Sequence, residues 1–431
     1  MYRQAFLLLL LPVWTAPIFV VHEAQAAEAG VKPKDVREIA KQGQSAIPRL
    51  TELLKHSAVD VRIEAVKGLT EIGTQRSLDP LIQACKDNDP AVQIHATDGL
   101  VNFYLPGYVQ SGLGASLRQV GTSIKGKFAE TNDQVIEPYI QVRPEVVQAI
   151  GGLARGGSSM ASRANAARAT GILRGREAVP DLLAALLSKD STVIYECLIA
   201  FQKIRDKSVG PRIVFLLGDL DERVQIAALE TAGLLRTKEA VPDLVEAVKR
   251  ARKDAVRTTA LTALAMIPDE RSRPLFEQYL GEKDDGMRAA AAEGLGRLEN
   301  TKDLPLLEKA FNDERKPSPR LSLAFALVFL GKEQVSEFSP LQLLINTLNS
   351  SSRKGVASGL LVELARKSSV RQAFYPGLKT GTKLEKIELA RVLAQSGEKD
   401  SLTPLDELSH DGDAEVAQEA LRALRSVKSR L

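Results

Sequence analysis

Apolar residues along this chain recur at helical rather than strand spacing, and they do so in blocks of nearly constant length. Val193, Cys197, Phe201 and Ile204 fall at i, i+4, i+8 and i+11, which sets them on one face of an α-helix. Most blocks open on a proline. Pro48, Pro80, Pro144, Pro180, Pro211, Pro242, Pro274, Pro305, Pro340 and Pro404 each begin an apolar helical stretch, and the steps from Pro180 to Pro305 are 31, 31, 32 and 31 residues. Proline suits a first helical turn because the N–H it lacks would have no partner there. Asp79, Ser339 and Thr403 each stand just before such a proline and are expected to cap the helix through their side-chain oxygens.

A second marker follows about 17 positions after most of these prolines. It is a small or apolar residue: Ala65, Ala96, Ala166, Cys197, Ala228, Ala260, Ala291, Leu323, Val356 and Ala420, with Glu388, an exposed-looking residue, in the same register. An apolar residue usually precedes it by four, as at Val61, Val92, Val193, Val224, Val256, Met287 and Val416. An aspartate recurs about three residues earlier still, at Asp89, Asp190, Asp221, Asp284 and Asp413, the place of an N-cap. Gly171-Ile172-Leu173-Arg174 through Leu182 recurs as Gly233-Leu234-Leu235-Arg236 through Leu244, two periods on. Each unit is therefore a helix, a short capped turn and a second helix. One such pair cannot bury its own apolar face, so neighbours must stack.

The pattern predicts an all-α fold, an alpha-alpha superhelix (α-solenoid) of about eleven helix pairs from Pro48 to the C-terminus, each touching only its neighbours. The tenth pair, around Phe374 to Val392, is irregular. The Pro, Asp-x-x-Val-Arg, Ala and Gly-Leu register resembles the HEAT-repeat superfamily, in particular the short HEAT-like repeats of phycobilisome lyases, over about residues 45–431. That resemblance implies an interaction scaffold whose second helices line a concave face. It also brings in two enzymatic relatives, the phycobilin lyases and deoxyhypusine hydroxylase. The hydroxylase uses repeated His-Glu pairs to hold iron, and here the one adjacent pair is His22-Glu23, inside a leader.

That leader spans residues 1–26. Arg3 precedes an apolar run from Ala5 to Val21 that Pro12 and Pro17 interrupt, and Ala24 and Ala26 follow. This is the order of a secretory signal peptide, so export, to a periplasm or beyond the cell, is expected, with cleavage after Ala26. The remaining organisation reads as 27–104, N-terminal repeats; 105–142, an irregular insert; and 143–431, the main array.

Composition narrows the classes. The chain of 431 residues is 44% hydrophobic and 26% charged, which excludes wholesale disorder and a multi-span membrane protein. With 58 Lys plus Arg against 54 Asp plus Glu, a nucleic-acid partner is not expected. Cys85 and Cys197 lie in separate repeats and are expected to stay unpaired and buried. His56, His95 and His410 are spread along the array, so no catalytic residue, metal site or cofactor is expected.

The rhythm breaks between Ala96 and Ala166, a gap of 70 residues. Tyr104 to Tyr108 ends the second unit. Val109, Leu113, Leu117, Val120, Ile124 and Phe128 follow at helical spacing with Arg118 on another face, and Gly112, Gly114, Gly121 and Gly126 weaken the helix. This stretch reads either as a degenerate extra unit or as a helix that meets a membrane surface or a partner. Arg155-Gly156-Gly157-Ser158-Ser159 reads as a lengthened turn. Its backbone and hydroxyls, near Arg143 and Arg163, could cradle an anion. The candidate partner- or anion-binding residues are thus Tyr104, Tyr108, Arg118, Tyr139, Arg143, Arg155, Ser158, Ser159 and Arg163. Arg62, Arg163, Arg257, Arg288, Arg320 and Arg353 form a separate recurring set that could recognise acidic partners; the resemblance to HEAT arrays implies instead that they pair with turn aspartates as a ladder. The functional expectation is an exported, non-enzymatic scaffold for a protein or peptide, with envelope association through 109–128 or a cofactor-binding lyase-like subunit as alternatives.

Overall fold

In the computed structural model, residues 30–109 and 134–431 are described. Among them there are only helices and turns, arranged as one leading helix, Pro33–Ala40, and eleven helix pairs. The first helices of the pairs start near residues 47, 75, 144, 179, 210, 241, 273, 304, 340, 368 and 402, and each second helix follows after a short turn. The irregular tenth pair proves to be an ordinary one, Ser368–Thr380 and Lys383–Ser396. The chain forms two compact units, divided between Phe103 and Tyr104. The first holds the leading helix and pairs one and two; the second holds pairs three to eleven.

The recurring aspartates cap as expected. Asp89 Oδ1 accepts from the N–H groups of Ala91 and Val92, at 2.8 and 3.3 Å. Asp190, Asp221 and Asp413 each accept from two N–H groups in the same way, and Asp284 accepts from that of Met287. Each of these bonds satisfies a donor that the first helical turn would otherwise leave open. Ser339 caps its helix through the N–H of Gln342. Asp79 and Thr403 do not begin helices: Pro80 lies inside the helix Gln75–Ala84, and Thr403 inside Leu402–Leu408. At these two units the helix starts a few residues before the proline, and at Gln75 the residue ahead is Thr74.

The second marker is buried at ten of its eleven positions and slips at one. Val356 is half exposed while Ala357 is fully buried, so the ninth pair is shifted by one residue. Glu388 is buried, not exposed; Lys354 and Arg391 bond to its carboxylate at 3.2 and 2.8 Å, which is what lets an acid occupy the register. Cys85 and Cys197 are both buried and unpaired, and burial pushes the Cys85 thiol up to about 12.

Consecutive second helices approach closely where glycine permits it. A Cβ on Gly171, Gly233 or Gly296 would lie 2.7 Å from the Cα of Ala200, Ala263 or Ala326 on the following second helix. Backbone meets backbone at those points, so the small residues set the spacing of the layers.

The arginine ladder is only partly formed. Arg62 makes a two-pronged pair with Asp87 of the next pair's turn, at 2.7 and 3.0 Å, and Arg288 does the same with Glu314, at 2.8 and 3.3 Å. Arg257 instead turns to Asp254 one helical turn away. Arg320 and Arg163 bond to backbone carbonyls of their own pairs. Arg353 is an exposed residue just before its second helix, because the ninth pair carries the one-residue shift.

The second unit also departs from neighbour-only contact. Arg236, just past the second helix of pair five, bonds to Glu363 on that of pair nine at 2.7 Å. Arg297, ending the second helix of pair seven, holds the same carboxylate at 2.7 to 3.0 Å. At the other end of the unit, Glu137 lies 3.7 Å from Arg422 of the last helix. Within this unit the second-helix ends of distant pairs therefore meet.

Candidate functional site

The residues expected to form a patch are placed by different causes. Tyr104 ends the helix Pro90–Tyr104 with its ring buried, and its hydroxyl accepts from the N–H of Arg143 at 3.1 Å. Those two therefore come together. Tyr108 and Tyr139 are half-buried turn residues. Arg118 and the stretch 110–133 lie outside the described residues, so the membrane-helix reading of 109–128 falls there too.

The Gly-Ser stretch is not a long turn. The helix Pro144–Gly156 already contains Arg155 and Gly156, which leaves only Gly157, Ser158 and Ser159 between helices. Ser159 is the cap of the helix Met160–Ile172, with its Oγ accepting from the N–H of Ser162 at 3.1 Å. Ser158 is exposed. Arg155 pairs with Asp181 at 3.1 Å, and Arg163 Nε donates to the carbonyl of Ala154. Helix capping and packing between pairs thus engage Ser159, Arg155 and Arg163.

The histidines are local. His56 accepts from the N–H of Ala58 at 3.0 Å inside the first turn, and His410 Nδ1 sits 2.9 Å from the carbonyl of Asp406. Among the described residues no group of three or more His, Cys, Asp or Glu is arranged to hold a metal ion, and no helix is long and apolar enough to cross a membrane.

The strongest convergence of charge lies elsewhere, at the second-helix ends of the second unit. Arg174, Arg205 and Arg236 follow the second helices of pairs three, four and five at intervals of 31 residues, with φ of 49°, 61° and 55°. This is the left-handed position that closes a helix and normally favours glycine; Gly73 fills it in pair one, at φ 57°. Glu363 meets Arg236 and Arg297, and Arg366 follows three residues later.

Glu363 is satisfied. Burial opposes its ionisation, but the hydrogen bond from Arg297 and the charges of Arg297, Arg236 and Arg366 hold it below the usual carboxylate range. Arg205 is in the opposite condition. Partial burial lowers its pKa, the neighbouring charges of Arg366 and Arg174 lower it further, and among the described residues no carboxylate bonds to it. The signal was present in the sequence, since Arg174 and Arg236 end the matching segments of the internal repeat and Arg205 falls midway. What periodicity could not show is that pair nine brings Glu363 and Arg366 to the same place.

Stacked helix pairs with capped turns and a glycine-tight seam define an α-solenoid. Family comparison gives it a name: models of HEAT repeats match residues 36–111, 180–265, 210–286 and 248–328, together just over half of the chain. The protein belongs to the HEAT-repeat family. Solved structures are similar to the chain at low identity. The Escherichia coli protein YibA is 16% identical with a TM-score of 0.41, over 68% of this chain and 94% of that one. The complex of CpcE and CpcF of phycocyanin lyase from Nostoc sp. PCC7120 is 17% identical with a TM-score of 0.37, over 62% and 92%. Kap121p is 11% identical with a TM-score of 0.39, over 96% of this chain and 50% of that one. No curated protein sequence matches the chain at a significant level.

Proposed function

We propose that this protein is an exported scaffold that binds a segment of a partner protein and performs no chemistry of its own. The observation that carries the reading is the repeat architecture itself. Within the second unit nine pairs repeat one helical surface from layer to layer, and stacked repeats of this kind supply an extended binding surface. The leader at residues 1–26 supports export, and the surface around Tyr104 and Arg143, next to the break in the rhythm, is a second place for contact.

Two measurements test it. The only tryptophan, Trp14, lies in the leader, so protein recovered from the producing cell's envelope or medium should show tyrosine but no tryptophan fluorescence and should begin at Ala27. Full-length protein confined to the cytoplasm would end the export reading. Crosslinking in intact cells followed by mass spectrometry should give protein adducts along the second helices; purified protein that instead turns over a bound organic cofactor would end the scaffold reading.

A further inference from the structure

We infer that the second-helix ends of the second unit form a binding site for an acidic, extended peptide segment, with Arg174, Arg205 and Arg366 as the cations that receive it. The inference rests on the scaffold reading and specifies the chemistry of the segment bound. Its starting point is a pairing the protein already makes. Glu363 fills the space at Arg236 and Arg297 with a carboxylate, through bonds of 2.7 to 3.0 Å. That intramolecular contact shows the ligand chemistry this surface accepts, a carboxylate held by guanidinium groups from several repeats.

One step along the array the arginines continue but the carboxylate does not. Arg174, Arg205 and Arg366 are exposed and make no ion pair or side-chain hydrogen bond among the described residues. Glu137, the acid whose charge acts on Arg174, is shared with Arg422 at 3.7 Å. The basic run ends at pair six, where Ile267 is extended (φ −107°), and pair seven places Glu299 at the left-handed position. Like charges gathered without a counter-charge raise the free energy of the unliganded surface, and an incoming anion relieves it. The backbone adds a second sign. A left-handed residue without glycine carries a conformational cost, and the chain bears it with arginine three times in succession.

Three cations without an acid partner among the described residues suit an extended peptide that carries several carboxylates, as the chain itself presents Glu363 to Arg236 and Arg297. Adjacent layers of helices stand about 10 Å apart, so a ligand that offers Arg174 and Arg205 a separate carboxylate each must be extended. A polyproline-type strand advances about 3.1 Å per residue with three residues per turn. An acid at every third position therefore presents carboxylates on one side at the layer spacing.

The test uses a rhodamine-labelled peptide with the sequence Glu-Pro-Pro repeated three times, its Gln-Pro-Pro counterpart, inorganic phosphate, and the purified protein. Fluorescence anisotropy at low salt should show the Glu peptide binding at least about tenfold tighter than the Gln peptide, with that difference lost in R174N/R205N/R366Q. Asparagine tolerates the left-handed backbone, so the variant should keep the wild-type circular dichroism and thermal midpoint; R205E alone provides a second, charge-reversed check. Equal binding of the two peptides, or undiminished binding by both variants, overturns the proposal. Phosphate that binds as tightly as the Glu peptide and displaces it also overturns it, in favour of a small-anion site. The scaffold reading is scored separately: a crosslinked partner kept by the triple variant leaves that reading intact and removes this one, whereas Glu-peptide binding with no crosslinked partner does the reverse.

Discussion

Two carboxylates in the second unit, one half-buried and one fully buried, sit on the same kind of helix and meet opposite fates. Glu363 is reached by Arg297 and Arg236 from two other pairs, and its ionised form is favoured. Glu196, on the second helix of pair four, is fully buried, and neither carboxylate oxygen has a hydrogen-bond partner. Burial pushes its carboxyl up to about 7, against the weaker opposing pull of Arg168, Lys203 and Arg223. Nearby positive charge is present in both places. The difference is that bonded guanidinium groups replace the water lost by Glu363, whereas charges acting only at a distance leave Glu196 undersolvated.

The sharpest way to break the contrast is to give Glu363 the condition of Glu196. Arg297 is buried, bonds to Glu363, to Glu293 and to the carbonyl of Ala265, and lies 4.6 Å over the ring of Phe325. Arg297→Ala leaves Glu363 with Arg236 and Glu293 with Ser322 as their remaining partners, and the loss of a buried, multiply bonded arginine should destabilise the second unit by about 3 kcal/mol, read as a lowered urea midpoint. A loss below about 1 kcal/mol would mean that Glu363 is solvated without its arginine.

The converse is to relieve Glu196. A carboxyl raised in the folded state from 4.5 to about 7 contributes stability that is full below the unfolded value and lost as pH rises through the folded one. Wild-type protein should therefore lose up to about 3 kcal/mol between pH 4.5 and 7 through this residue, and Glu196→Gln should lack that loss. Glu363, with its lowered value, has the opposite sign: its contribution is present above the unfolded value and disappears as the solution is acidified. Identical pH profiles for wild type and Glu196→Gln would remove the distinction between the two sites.

Much of this architecture was legible beforehand, for a physical reason. Helix caps and first-turn prolines are local chemistry, so Asp190, Asp221 and Asp413 announce the turns they cap. Eleven pairs follow from that repetition. Misreadings arose where a residue's role depends on a distant partner. Glu388 looked exposed because its ion pair with Lys354 spans 34 residues. The Gly-Ser stretch looked like a loop because hydroxyls suit both an anion cradle and the cap that Ser159 forms. The meeting of Arg236 with Glu363, 127 residues apart, has no periodic signature, so the convergence of arginines was hidden although each lay in plain register.

The spacing of the seam decides whether Glu196 can recover water. Gly171 faces Ala200, one helical turn from Glu196, with no room for a Cβ. Gly171→Ala gains helix propensity but must push backbone from backbone, and a net loss of about 1–3 kcal/mol is expected. Separating the two helices should also admit water to Glu196, so the fall in stability between pH 4.5 and 7 should shrink in this variant. A loss of stability with an unchanged pH profile would show that the closure of Glu196 does not depend on this seam.

The smallest expected effect concerns Arg236, and it separates bonding from exposure. Its side chain is 40% exposed where that of Arg297 is 6% exposed, although both hold the same carboxylate. Water and salt therefore screen the outer arginine, while the inner one acts where screening is weak. Arg236→Ala should cost about 0.2–1 kcal/mol at low ionic strength, and the cost should vanish near 0.5 M salt. The Arg297→Ala loss should persist under the same conditions, because the bonds of the buried Arg297 are screened little by salt. If both losses faded together with salt, Glu363 would be held by long-range attraction alone. The site would then differ from Glu196 in the number of neighbouring charges, and not in the bonds that replace its water.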